Sequence, residues 1–471
     1  MSTALVVGSG PNGLAAAVHL AASGLDVRVL EAEDTVGGGC RSSEPALPGV
    51  VADDCSAFHP FAAASPFLSG LGLEEHGLRW CWPEVQLAHP LDGGREAVLW
   101  QDLERTTAEL ASDGPAWDAI VGRTARDFGR LVGDLLGPVV HVPRHPLLLA
   151  RFGLDAVLPA TVTARRWGGD PARALFAGIA AHAFARLDAP LTTSVGLVLA
   201  GAAHAVGWPV AEGGSGAITR ALAAKLASLG GSVETGVRVE SAEALASTDL
   251  VLLDVAPAAA ARILGHRLPA ATARSYARYR HGPAAFKVDF AVEGDVPWRG
   301  EHAPRAGTVH LGGTLEEIAA AEASVAAGRM PARPFVLVGQ QYLADPTRSR
   351  DGINPVWAYA HVPHGYAGDA TEALIAQIER FAPGFRSRVR AVAVRGPAAI
   401  EAHNANFVGG DIGTGSTAGL QLIARPRAAH PYATGVPGVY LCSAATPPGP
   451  GTHGMSGFRA AEAALAWLGT R

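Results

Sequence analysis

The chain opens on a short apolar run, Thr3–Val7, followed by a glycine loop and a segment, Pro11–Ser23, with helical spacing. Its apolar residues Leu14, Ala17, Val18 and Ala21 share one face, and Gly24 stops it. Asp26–Glu31 reads as a second strand. A strand, a helix and a strand in so few residues predict the start of a doubly wound sheet. Residues 70–205 show no sustained alternation and predict mixed helices and loops. Within them, Ala189–Ala211 carries no charge and is long enough to cross a bilayer. Its prolines, threonines and glycines predict a buried or cavity-lining helix instead. Gly137–Gly168 is richer still in leucine and valine and ends on Arg165, Arg166 and Trp167. The expectation is a core helix with a basic C-terminal end. The alternative is a surface that docks on a bilayer, since apolar residues beside arginine and tryptophan suit that interface.

A new unit begins at Gly213–Gly216. A helix over Ala217–Leu229 precedes strands over Ser232–Val239 and Asp249–Val255, which predict more parallel sheet. From about residue 283 the pattern turns to period two. Lys287–Val292, Thr308–Leu311, Phe335–Val338 and Val356–His361 predict an antiparallel meander, with helices over Glu316–Ala327 and Glu372–Phe381. The chain closes on a strand, Gly438–Cys442, a Pro/Gly loop and a helix, Met455–Leu468.

Composition narrows the function classes. The 471 residues predict two or three domains, and 48% hydrophobic with 17% charged residues excludes a disordered chain. A formal net charge of −5 excludes a general basic footprint for nucleic acid. The four cysteines, Cys40, Cys55, Cys81 and Cys442, include no CxxC pair and no zinc-like spacing. Disulphide exchange and structural zinc are therefore poor readings, and no metal site is expected. So few cysteines point to a reducing compartment. No basic n-region precedes the first strand, so the expected location is the cytoplasm, with peripheral membrane contact and self-association left open.

The strongest chemical signal is Gly8-Ser9-Gly10-Pro11-Asn12-Gly13 between the first strand and the first helix. Gly8 permits the tight turn, Gly10 lets backbone approach a pyrophosphate, and Gly13 allows close helix–strand packing. The helix start at Pro11 and Asn12 offers free N–H groups to phosphate. Glu31, at the end of the second strand, can accept hydrogen bonds from unphosphorylated ribose, which favours FAD or NAD over NADP. The glycine turn Gly37–Gly39 then leads to Arg41; Gly38 can admit a ligand and Arg41 can meet a pyrophosphate. At the other end, Gly449-Pro450-Gly451-Thr452-His453-Gly454-Met455 joins a strand to the last helix. A helix start there favours the negative charge of a reduced isoalloxazine edge.

Taken together these motifs resemble the phytoene-desaturase-like FAD oxidoreductases within the amine-oxidase-like superfamily. More narrowly, they resemble the pyridine nucleotide-disulphide oxidoreductase domain-containing (phytoene dehydrogenase-related) proteins. The similarity rests on Gly8–Arg41, Asp54–Pro60, Glu212–Gly216, Phe286–Asp289 with Val296–Trp298, His310–Glu317, Asn406–Asp411 and Tyr440–Gly457. Pro450 departs from it, standing where the pattern reads glycine. The resemblance implies an α/β fold: a glutathione-reductase-type, Rossmann-like FAD-binding domain beside a substrate domain of antiparallel sheet and helices. The expected division is 1–70, 205–260 and 395–471 for FAD, and 71–204 and 261–394 for substrate. It implies FAD contacts from Val237, Thr452, Gly454 and Met455 beside the glycine loops. Lys287 is a candidate catalytic residue, or else half of a surface ion pair with Asp289. His453 is a second candidate, or else a helix cap. Asp411 could touch the flavin or fix a turn; His59 could line a cavity or pack in the core.

The activity implied is hydride removal from an apolar or semi-polar substrate to flavin N5, with oxygen or a quinone as electron acceptor. A flavin-dependent isomerase, a silent FAD-binding scaffold and an NAD dehydrogenase are the alternatives.

Overall fold

In the computed structural model, residues 2–245 and 248–470 are described. In chain order its main strands are β1 (Thr3–Val7), β2 (Asp26–Leu30), β3 (Val85–Pro90), β4 (Glu96–Leu99), β5 (Ser232–Glu234) and β6 (Leu250–Leu253). They continue with β7 (Ala284–Glu293), β8 (Ala306–Leu311), β9 (Val336–Gly339), β10 (Ile353–Val362), β11 (Val389–Arg395) and β12 (Val439–Leu441). The helices that position the site are α1 (Pro11–Ala22), α2 (Pro146–Ala156), α3 (Asp170–Ala180), α4 (Thr192–Val206), α5 (Gly216–Ser228) and α6 (Met455–Leu468).

Two sheets organise the chain. The first is parallel and five-stranded, in the order β12-β6-β1-β2-β5. β1 is central, and every residue of β6 is buried, as a parallel strand covered on both faces should be. α1 and α6 pack against each other so closely that a Cβ on Gly457 would lie 1.8 Å from the Asn12 carbonyl oxygen. The second sheet has seven strands in the order β11-β7-β10-β9-β8-β3-β4. Its strands pair antiparallel except for β8 with β3, which run parallel.

The register of the second sheet decides what meets the site. Antiparallel partners share a face, so Thr308, Gly339, Trp357 and Asp289 form one row. His310, Leu337, Tyr359, Lys287 and Arg395 form the next. α3 and α4 cover this face; a Cβ on Gly178 of α3 would lie 2.9 Å from His310 Nδ1 and 3.0 Å from His89 Nδ1. The opposite face is apolar and is closed by Leu374, Ile378 and Phe385.

Several sequence expectations are corrected. Residues 70–205 supply β3 and β4, two strands of the second sheet. The four strands of the expected meander do pair antiparallel, in the order β7-β10-β9-β8, and the parallel pair arises only where β3 adds beside β8. The strand expected over Ser232–Val239 pairs only over Ser232–Glu234. The Gly137–Gly168 stretch is not a core helix: Leu147 is 85% exposed and Leu154 75%. The helix expected within Ala189–Ala211 is α4, buried on one side and lining a cavity on the other. No helix among the described residues is long and apolar enough to cross a membrane alone.

Candidate active site

One cavity of about 810 Å³ runs from the carboxyl ends of the parallel strands to the polar face of the second sheet. That volume lies within the usual range for small-molecule sites, and the crevice beyond parallel strand ends is the usual place for one. At the first end it is lined by Gly8–Asn12, Glu31, Gly38–Arg41, Val237 and Thr452. At the second it is lined by His182, Phe184, Trp208, Thr308, Trp357 and Tyr359.

The first end is built from glycine geometry and one buried acid. Gly8 sits at φ +100°, which a side chain would oppose. A Cβ on Gly13 would lie 2.1 Å from the Gly8 carbonyl oxygen, so only glycine lets α1 close on β1. Asn12 Oδ1 is buried there without a partner, at a helix start whose N–H groups face the cavity. Glu31 accepts from Ser9 N–H at 2.8 Å and Glu33 N–H at 3.0 Å, which holds its carboxylate beside the loop. Val237 N–H donates to the Glu31 carbonyl at 2.8 Å, bringing the Val237 backbone to the same wall.

Asp254 was not foreseen. It follows β6 and its Oδ2 accepts the Gly13 N–H at 2.9 Å. Burial pushes its carboxyl up to about 7, opposed by that hydrogen bond and reinforced by the nearby Glu31 charge. Its position beyond a parallel strand's carboxyl end was the signal available in the sequence.

The two other loops meet here. Arg41 donates to the Gly38 carbonyl at 3.1 Å and the His403 carbonyl at 2.6 Å, which fixes the turn. Thr452 Oγ1 bonds Ser56 Oγ at 3.0 Å and Cys40 Sγ at 3.1 Å, tying the C-terminal loop to the Gly37–Arg41 loop. Gly454 and Met455 stand behind the cavity wall. Gly454 packs on Ala15 and Leu68, and Met455 joins the core with Phe128. Asp411 accepts N–H bonds from Gly282, Gly413 and Gly415, each within 2.9 Å, which is a turn-fixing arrangement. His59 lines the cavity and bonds Ser215 Oγ at 2.7 Å; burial holds its pKa down at about 4.

The two catalytic candidates stand differently from each other. His453 lines the cavity, but its Nδ1 accepts the Met455 N–H at 3.0 Å, leaving Nε2 to donate to the Gly449 carbonyl at 3.2 Å. Both ring nitrogens are taken up inside its own loop, and burial lowers its pKa to about 4. Lys287 forms an ion pair with Asp289, and the pair is buried rather than on the surface, with side chains 4% and 2% exposed. Its ammonium belongs to a small side pocket behind Trp357 and Tyr359, with Arg395 and His403.

The second end is aromatic and nearly uncharged. Trp357 and Tyr359 meet edge to face at 4.9 Å, and Phe184 stacks on His361 at 3.9 Å. Burial lowers His182 to about 3, so it is neutral. The register neighbour of Tyr359 is Lys287. The aromatic row was missed because no single-strand pattern shows which residues a sheet places side by side.

With this geometry in view, comparison with known proteins places the fold. A family profile for the NAD(P)-binding Rossmann-like domain matches residues 6–68. A putrescine oxidase structure superposes with a TM-score of 0.61 at 18% identity, covering 100% of this chain and 99% of that one. The fold is amine-oxidase-like. By sequence, an uncharacterised protein of Mycobacterium tuberculosis is 29% identical over 79% of this chain and 76% of its own length. Pyridine nucleotide-disulfide oxidoreductase domain-containing protein 2 of Mus musculus is 25% identical over 98% of this chain and 92% of its own. All four cysteines here are free thiols. Burial raises Cys40 and Cys55 to about 12, which leaves them without reactive thiolate.

Proposed function

We propose that this chain is an FAD-dependent oxidoreductase of the phytoene-desaturase-like kind, acting on an apolar or semi-polar organic substrate. The observation that carries the reading is the continuity of one cavity between three glycine-bearing loops and an aromatic chamber. A nicotinamide enzyme needs the first loop; the Gly38–Arg41 and Gly451–His453 walls on the same cavity suit a larger dinucleotide.

The residues present fit FAD. The unpartnered Asn12 Oδ1 and the Gly8–Gly10 cradle would hold the pyrophosphate, with Glu31 on ribose and Val237 beside adenine. Arg41, Gly38 and Thr452 would bound the remainder, with Gly454 and Met455 supporting the loop from behind. When bound, FAD supplies a two-electron acceptor, reoxidised in turn by oxygen or a quinone. The chain's own part is to orient the substrate against Trp357, Tyr359 and Phe184, and to exclude water from the chamber. Lys287, paired with Asp289 behind that wall, would act on the site through Tyr359 rather than by contact. The two sheets support the proposed division into a nucleotide domain and a substrate domain.

The test is the visible spectrum of the purified protein, repeated on the supernatant after denaturation. Released FAD, and bleaching by an apolar donor under anaerobic conditions, are the expected results. A colourless protein that fails to take up added FAD overturns the proposal. Turnover that needs reduced flavin without net bleaching would point to an isomerase.

A further inference from the structure

Seven of the twelve large hydrophobic side chains exposed among the described residues fall in one stretch. They are Val139, Val140, Val142, Leu147, Leu154, Val157 and Val162, from 40% to 93% exposed. Water-facing aliphatics concentrated in so short a segment mark an interaction surface, where scattered ones would not.

The stretch is an irregular segment before α2 that carries Val139, Val140 and Val142, α2 itself, and a following turn, Ala160–Arg166, bent 89° from it. α2 has two apolar sides. Leu149, Phe152 and Ala156 line the cavity, while Leu147 and Leu154, two turns apart, face outward. Val139 and Val157 belong both to the exposed patch and to the cavity lining. The outer patch and the cavity are therefore one continuous apolar surface.

Charge says what covers it. Between Leu135 and Gly169 there are four arginines, Arg144, Arg151, Arg165 and Arg166, all exposed, in a chain whose net charge is −5. The only acid in that interval, Asp155, is buried and engaged by Arg123 and Arg166. The preceding Asp134 is buried and accepts the Arg144 N–H at 2.9 Å. Arg144, Arg151 and Arg165 form no ion pair among the described residues. Exposed aliphatic side chains in one segment with three unpaired arginines, and with no free carboxylate in that segment, match a lipid surface bearing anionic headgroups.

We infer that residues 139–166 dock this protein on an anionic bilayer and open its cavity toward the hydrocarbon. The segment lies in the interface and does not cross it. The 89° bend and the packing of the inner face of α2 over the cavity would both be lost in a span. Docking is independent of the cofactor; delivery of an apolar substrate from the bilayer rests on the oxidoreductase reading above.

The test is flotation of the intact protein with vesicles of phosphatidylcholine alone and of phosphatidylcholine with 30% phosphatidylglycerol. The inference predicts at least tenfold stronger binding to the anionic vesicles, weakened by salt. L147E/L154E and, separately, R144Q/R151Q/R165Q should each lower that binding at least tenfold, with the melting temperature unchanged because every altered side chain is exposed. Absence of binding to anionic vesicles, or binding that survives both variants, overturns it. So does a dimer in sedimentation that L147E/L154E dissolves, which would assign the patch to a second copy. Flotation reads no flavin chemistry, so a colourless protein that fails to take up added FAD and still floats would sink the oxidoreductase reading and leave docking standing.

Discussion

Arg348 and Asp53, 295 residues apart in the chain, meet in a fully buried ion pair with an N–O distance of 2.5 Å. Arg348 also donates to Asp345 at 3.0 Å and to the Ala211 carbonyl at 2.7 Å. Both acids also hold the loop that leads into α5: Asp53 accepts the Ser215 N–H on its other oxygen at 2.6 Å, and Asp345 accepts the Gly213 N–H at 2.7 Å on the oxygen that Arg348 contacts. One guanidinium thus clamps the loop that brings α5 against the nucleotide sheet.

Arg348→Ala should leave two buried carboxylates without their cation. A loss of roughly 3–5 kcal/mol is expected from breaking one side of a buried pair. Chemical denaturation at pH 7 checks it. Arg348→Lys should recover only part of the loss, because an ammonium cannot reproduce the planar fork.

Asp254 predicts a pH dependence of stability. Folding raises its carboxyl from 3.8 to about 7, so between those values the native state holds a proton that the unfolded chain has released. Its stabilising contribution is complete below the lower value and is lost as pH rises through the upper one. Melting temperatures of the cofactor-free protein should therefore carry a component that falls toward pH 8. Asp254→Asn should flatten that component, and an unchanged profile would show that Asp254 is ionised throughout.

Gly10→Ala tests the nucleotide cradle. The added Cβ would lie 2.7 Å from Asp254 Oδ2, in the loop wall itself. The fold should survive, since Asp254 can shift, while the flavin content of the purified protein falls at least tenfold. Absorbance near the flavin maximum against protein concentration measures it.

The thiols should be inert. Cys40 and Cys442 are buried, and burial raises both thiols. A thiol reagent at pH 8 should label the native protein first at Cys81, which is partly exposed, and reach Cys40 and Cys442 only after unfolding. Rapid labelling of Cys40 in the folded protein would contradict the burial described here.

Much of this was legible in the sequence, and the rest failed for identifiable reasons. The β1–α1–β2 opening and α6 carry strong local signals, and their limits fall within a residue of expectation. β3 was missed because all six of its residues are buried and Gln86, His89 and Pro90 break any apolar run. β11 was missed although its burial alternates along its whole length. The Gly137–Gly168 stretch misled because an apolar helix pattern does not say whether the apolar face meets protein or another phase. Lys287 was rightly placed on a strand, but its burial beside Asp289 depends on register with β10 and β11, which no single strand encodes.

The five-stranded sheet draws its strands from three distant places: Thr3–Leu30, Ser232–Leu253 and Val439–Leu441. During synthesis, β1 and β2 wait through two hundred residues for their neighbours, and β12 arrives last. At roughly 5–20 residues per second, that delay lasts tens of seconds. The loop from Gly449 to Met455 cannot meet Cys40 until more than 400 further residues have left the ribosome. Under the proposed function, capture of a dinucleotide therefore waits for residues 439–455, and a chain that stalls before residue 439 has no way to close the cavity.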